Sequence, residues 1–159
     1  MANQLFNISR GAIGYYADDA RGLVGATDRL HLVLLQAAEV DDTLNNYDTL
    51  SALLAATLNT ELITTGTNYS RILLDSTDIT WTVDDTGNDA QAIVDADQTW
   101  TSVTQAGTEV IVKLLVCWGT SGATDANIRP LTHHDFSVTA NGGDITANFD
   151  QVAGFYGST

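Results

Sequence analysis

The sequence predicts an all-β fold, a jelly-roll-like antiparallel sandwich or barrel with one short α-helix and an extended N-terminal arm. Three observations predict it. Short stretches alternate apolar and polar residues with a period of two, most cleanly Ile79-Thr80-Trp81-Thr82-Val83. Clusters of Gly, Asn and Asp separate these stretches at the spacing of a sandwich or barrel. Threonine is abundant, and like Val, Ile and the aromatics it suits a pleated, half-buried surface; the chain carries a single proline, Pro130.

Taken in order, residues 1–27 read as the extended arm with one or two short strands, because Gly11, Gly14, Gly22 and Gly25 interrupt any helical pattern. Residues 28–159 read as a single β-sandwich domain. Within it, residues 29–36 (RLHLVLLQ) form a buried strand. The helix is expected near 47–58, where Leu50, Leu53, Leu54, Ala55 and Leu58 share one helical face and Asp48 or Asn46 could cap the start. Tyr69–Leu74 and Ile79–Val83 follow as strands, then Ala92–Ala96 and Thr99–Val103. Glu109–Trp118 reads as a central strand because it is apolar on both faces, its apolar run Val110–Trp118 being broken by Lys113. Ile128–Leu131 and Phe136–Thr139 are two further strands. Asn141-Gly142-Gly143-Asp144 is a hairpin turn with residues that accept positive φ. Ile145–Phe149 and Gly154–Tyr156 close the chain.

Charge narrows the function classes. Twenty acidic residues against six basic ones leave a net charge of −14. Such a surface repels phosphate backbones and anionic lipids, so neither nucleic acid nor membrane is an expected partner. No apolar run approaches the ~20 residues of a membrane-spanning helix. The N-terminus MANQLFNISRG lacks the pattern of a secretory signal. The lone Cys117, inside Leu114–Trp118, reads as a small buried hydrophobe, consistent with synthesis in a reducing cytoplasm.

The chemistry-bearing motifs are absent: no P-loop, G-x-G-x-x-G, G-x-S-x-G, H-E-x-x-H or C-x-x-C occurs. His133-His134-Asp135 lies on a predicted strand, where neighbours point to opposite faces, so the two histidines do not easily share one metal. The acidic residues Asp84, Asp85, Asn88, Asp89, Asp95 and Asp97 gather near the ends of a predicted hairpin. Their oxygens suit Ca²⁺, with Asp84, Asp85 and Asp89 as the set it would use, but the spacing departs from the EF-hand loop, and solvated turn carboxylates are the simpler reading. Asp95 and Asp97 share a strand face as a glycosidase pair would, yet coincidence explains the pairing in so acidic a chain. The aromatics Trp81, Trp100, Trp118 and Phe149 are read as core or interface anchors rather than a sugar platform. No catalytic residue, cofactor or resident metal is expected, and the protein is not expected to be an enzyme.

End to end, several segments carry a resemblance. They are Phe6–Gly11 with Tyr15-Tyr16, Leu30–Leu35, Tyr47–Leu54, Asn68–Arg71, Ile79–Thr86, Val94–Asp97 with Thr99–Thr101, and Gly142–Phe149. In order and spacing the chain resembles a family of small structural proteins that tailed bacteriophages encode near their capsid genes. The resemblance implies a β-rich decoration or cement protein of the virion, trimeric on the capsid exterior and bound to the major capsid protein. It brings no catalytic residues. In that setting the arm could reach a neighbouring subunit, and Phe6, Arg10, Tyr15, Tyr16, Phe155 and Tyr156 are the candidate interface residues. The alternatives are a receptor- or glycan-binding module of a tail or fibre, and a head–tail connector or tail component.

Overall fold

The computed structural model describes residues 3–9, 27–62, 68–84, 89–104, 110–149 and 156–158. Among the described residues it is all-β and sandwich-like, with antiparallel pairing throughout and two short α-helices. The strands are β1 (Asn3–Leu5), β2 (Asp28–Ala37), β3 (Thr60–Glu61), β4 (Ile72–Leu74), β5 (Ile79–Asp84), β6 (Asp89–Val94), β7 (Gln98–Trp100), β8 (Val110–Thr120), β9 (Arg129–Thr139), β10 (Ile145–Ala147) and β11 (Tyr156–Ser158). The helices are α1 (Asp41–Leu44) and α2 (Leu50–Ala55).

Among the described residues the main sheet runs β1-β9-β8-β2-β3, with β4 also pairing β2. Two smaller sheets, β10-β7 and β11-β6-β5, complete the set. The central position of β8 follows from its sequence. Leu114 and Val116 face one core, Leu115 and Cys117 the other. Its partner β2 does the same, with Leu30, Leu32 and Leu34 on one side and Val33 and Leu35 on the other. A strand covered on both faces cannot alternate apolar with polar, which is why these two runs are continuous.

The first core lies between the main sheet and the smaller sheets, which contribute Ile79, Ala92, Val94, Trp100, Ile145 and Ala147. The second lies under α1, α2 and the N-terminal segment, whose Leu44, Leu50, Leu53 and Phe6 are each fully buried. Each such side chain contributes about 1.5–3 kcal/mol by leaving water.

Three expectations are corrected. The helix expected near 47–58 is shorter, α2 alone (Leu50–Ala55), and a separate short helix, α1 (Asp41–Leu44), precedes it. The Leu50 amide donates to the Ile128 carbonyl at 2.9 Å instead of continuing a helix from α1. Thr49, not Asp48 or Asn46, caps α2 by accepting from the Ala52 amide at 3.1 Å. Because α2 stops at Ala55, Leu58 never reaches the buried face and is 63% exposed. The two strands expected at 128–131 and 136–139 are one, β9, which carries its polar middle through the sheet. Pro130 sits at a register shift opposite Val116 and Cys117, where a bulge tolerates a residue without an N–H. The turn 141–144 forms, with Gly142 at φ +95°, but it does not join a hairpin. Its Gly142 amide donates to Val103 O at 2.8 Å and its Gly143 carbonyl accepts from Val103 N, so it passes the chain to β10, which pairs with β7. Residues 3–5, within the segment read as an extended arm with one or two short strands, form one such strand: β1 pairs with β9, Asn3 opposite His134 and Leu5 opposite Thr132.

Candidate functional site

The most connected polar group lies where β1, α1, β8 and β9 meet. Lys113 interrupts the apolar run of β8, and its side chain is only 10% exposed. Its ammonium donates to Asp41 Oδ1 of α1 at 2.6 Å and to Asp135 Oδ1 of β9 at 2.5 Å. Burial opposes the charge, but the hydrogen bonds to Asp135 and Asp41 outweigh it and hold the Lys113 pKa above its ordinary value. The same hydrogen bond holds the Asp135 carboxyl below the usual carboxylate range. A protonated amine with two carboxylate partners is a cross-brace between α1 and the sheet, not a nucleophile.

Behind this brace lies His133, fully buried, with its Nε2 3.0 Å from Asn45 Oδ1 and its ring edge-on to Phe6 at 5.3 Å. Burial, helped by the Lys113 charge, lowers its pKa below 6.5. Gln4 of β1 links the pieces, donating to Asp41 Oδ2 at 2.9 Å and accepting from Asn45 Nδ2 at 3.0 Å. Outside the brace is an open depression of about 460 Å³ lined by Ala38, Glu39, Val40, Asp41, Asp42, Lys113 and Asp135.

A second brace ties β3 and β4 to the turn before β9. Arg71 is bidentate on Glu61, through Nε at 2.8 Å and Nη2 at 2.6 Å, and also holds Asp125. Its pKa rises, with the Glu61 hydrogen bonds as the main cause. Tyr69 donates to the same Glu61 and accepts from the Leu34 amide, and burial pushes its hydroxyl pKa well above the usual value.

Of the candidate interface residues, Phe6 is corrected. Its ring is 0% exposed and fills the second core, so it holds the N-terminal segment on its own domain and offers no surface to a partner. Arg10, Tyr15, Tyr16 and Phe155 lie outside the described residues. Tyr156 lies in β11, opposite Ala92 of β6. Asp84 and Asp89 face each other across the end of the β5–β6 hairpin, and Asp85 lies outside the described residues. Asp95 and Asp97 are exposed, and Asp97 accepts from the Phe149 amide. Among the described residues no three His, Cys, Asp or Glu side chains are grouped to hold a metal ion.

His133 and His134 do diverge. The former meets Asn45, and the latter pairs with Thr132 Oγ1 at 2.8 Å. His31 is apart from both, against Thr120 O. Trp100 is 3% exposed and donates to Ser70 O, which makes it a core anchor. Cys117 is fully buried.

The two braces were not anticipated. The signal for the first was present, since a lone lysine inside an apolar strand must find carboxylates. No family model, no curated protein and no solved structure matches this chain.

Proposed function

We propose that the protein is a non-enzymatic structural protein of a tailed-bacteriophage virion that binds the capsid exterior and stabilises the shell. The sequence resemblance supports this reading, and one structural observation carries it further. Each cation among the described residues is turned onto the chain's own oxygens. Lys113 and Arg71 are held by carboxylates, Arg29 contacts the Asp28 carbonyl and Arg129 the Asp48 carbonyl. With a net charge of −14, the outer surface is left rich in carboxylates. A surface of this kind suits a basic protein partner and resists packaged nucleic acid.

In this reading three copies sit at a local three-fold position of the lattice and clamp the major capsid protein. Because they bind only the assembled shell, they favour it by mass action. The test is the light-scattering mass of the purified protein, alone and mixed with capsids, followed by sedimentation. A trimer that co-sediments with heads, more weakly at high salt, is expected. A monomer or a ring of six or more that ignores heads overturns the proposal, and glycan binding by such a species would point to a tail or fibre module.

A further inference from the structure

We propose that His133 makes docking of the N-terminal strand acid-sensitive: β1 and Phe6 are held on the sheet while the imidazole is neutral and are released as it takes up a proton. The inference does not depend on the capsid reading.

The hydrogen bonds around His133 fix its tautomer. Asp41 is ionised against Lys113, so its Oδ2 can only accept, and Gln4 must present Nε2 to it. Gln4 Oε1 is then left to accept from Asn45 Nδ2. That leaves Asn45 Oδ1 facing His133 Nε2, which therefore carries the proton and donates. His133 Nδ1 is thus a bare lone pair. It is buried, has no hydrogen-bond partner, and lies 3.9 Å from Asp41 Oδ1, beyond hydrogen-bond range. The next proton the ring accepts goes there.

The surroundings decide what that proton does. The charged groups near the ring are Asp41 from α1, Lys113 from β8, and Asp135 with the neighbouring His134 on its own strand. Lys113 already occupies both carboxylates. β1 contributes only the uncharged Gln4, its cross-strand neighbour, and the residue after β1, Phe6, packs against the imidazole in a T-shaped contact. An imidazolium enclosed in this way has lost its water without gaining a carboxylate at hydrogen-bond distance. Undocking residues 3–9 removes Phe6 and Gln4 and returns the ring to solvent, so proton uptake favours the undocked form.

The opening is local because the segment is short and, among the described residues, lies at the edge of the sheet. It is held by β1, by the Phe6 amide on Leu131 O (3.1 Å), by the Asn7 amide on Asn45 O (2.8 Å) and by Ser9 Oγ on Leu131 O (2.7 Å).

Amide hydrogen exchange at pH 7 and pH 5, corrected for intrinsic rates, tests the proposal. A histidine that titrates near 6.5 when undocked and stays neutral when docked raises the opening constant by up to about 25-fold over this interval. Protection of the Phe6 and Asn7 amides should fall accordingly, by more than that of Leu114 and Leu115, which report opening of the whole domain. In His133→Gln, which cannot titrate, the additional loss should vanish. Equal losses in the wild type and the variant, or none in the wild type, would overturn the proposal. Should His133→Gln fail to fold, the imidazole ¹⁵N spectrum of the wild type decides. An Nε2–H ring below pH 6.5 at residue 133 supports the latch, and an Nδ1–H ring refutes it.

Discussion

Replacing Phe6 by alanine tests whether the N-terminal segment is part of the folded core. The ring is fully buried among Val33, Leu35, Leu44, Leu50, Leu53, Leu115, Cys117 and Ile128, and it stacks edge-on against His133. Truncating a phenylalanine in such a site removes its transfer free energy and leaves a cavity, a loss of about 3–5 kcal/mol if the segment remains docked. The main chain offers an escape. If residues 3–9 detach, the global loss stops at the free energy of docking, and the Asn7 amide, bonded to Asn45 O at 2.8 Å, loses its protection. Urea unfolding gives the first quantity and hydrogen exchange the second. Phe6→Leu should recover more than half of the loss, because it refills most of the volume. A loss below about 1 kcal/mol in Phe6→Ala, with Asn7 still protected, would refute the claim that this ring fills the second core.

Three further outcomes follow from the same packing. Burial lowers the pKa of all three histidines, that of His134 to about 4. Their contribution to stability is complete above 6.5 and is lost as pH falls toward the folded values. His134 alone accounts for about 3 kcal/mol of this. The raised pKa values of Lys113 and Tyr69 place the opposite loss above pH 10. Denaturant midpoints should therefore be flat from about pH 7 to 10 and fall on either side, and a midpoint unchanged at pH 4.5 would contradict the burial of the histidines. Arg71→Lys keeps the charge but loses the two-pronged contact with Glu61, and should cost about 1–3 kcal/mol in the same assay. Gly142→Ala forces a Cβ onto a backbone at φ +95° and within 3.1 Å of Thr104 Cγ2, and should cost about 1–2 kcal/mol; a neutral result would mean that the turn relaxes.

The parts of the fold that were legible in the sequence are those set by local periodicity. The alternation in Ile79–Val83 marks a strand whose next partner is also its next neighbour, and β5 and β6 pair as expected. The two-sided apolar character of 110–118 marked the central strand of the main sheet. The helix was legible in kind but not in extent, because the Leu50–Leu58 periodicity says nothing of the Ile128 carbonyl that captures the Leu50 amide. The turn at 141–144 was legible in chemistry but not in what it connects, since a positive-φ glycine serves any sharp reversal.

The candidate site divides in the same way. Phe6 looked like an exposed anchor because aromatics in an arm favour interfaces, and only the β1–β9 pairing shows that the second core has a place for its ring. Lys113 announced a need for carboxylates, yet Asp41 and Asp135 lie 72 and 22 residues away in the chain. The relay Asp41–Gln4–Asn45–His133 spans three elements and has no local signature. Composition and periodicity by themselves determined the β class, the acidic surface and the doubly buried strands, because these depend on how each residue partitions between water and a pleated surface. The tertiary structure decided which buried polar groups meet, because a charge or imidazole removed from water must find partners wherever the fold supplies them.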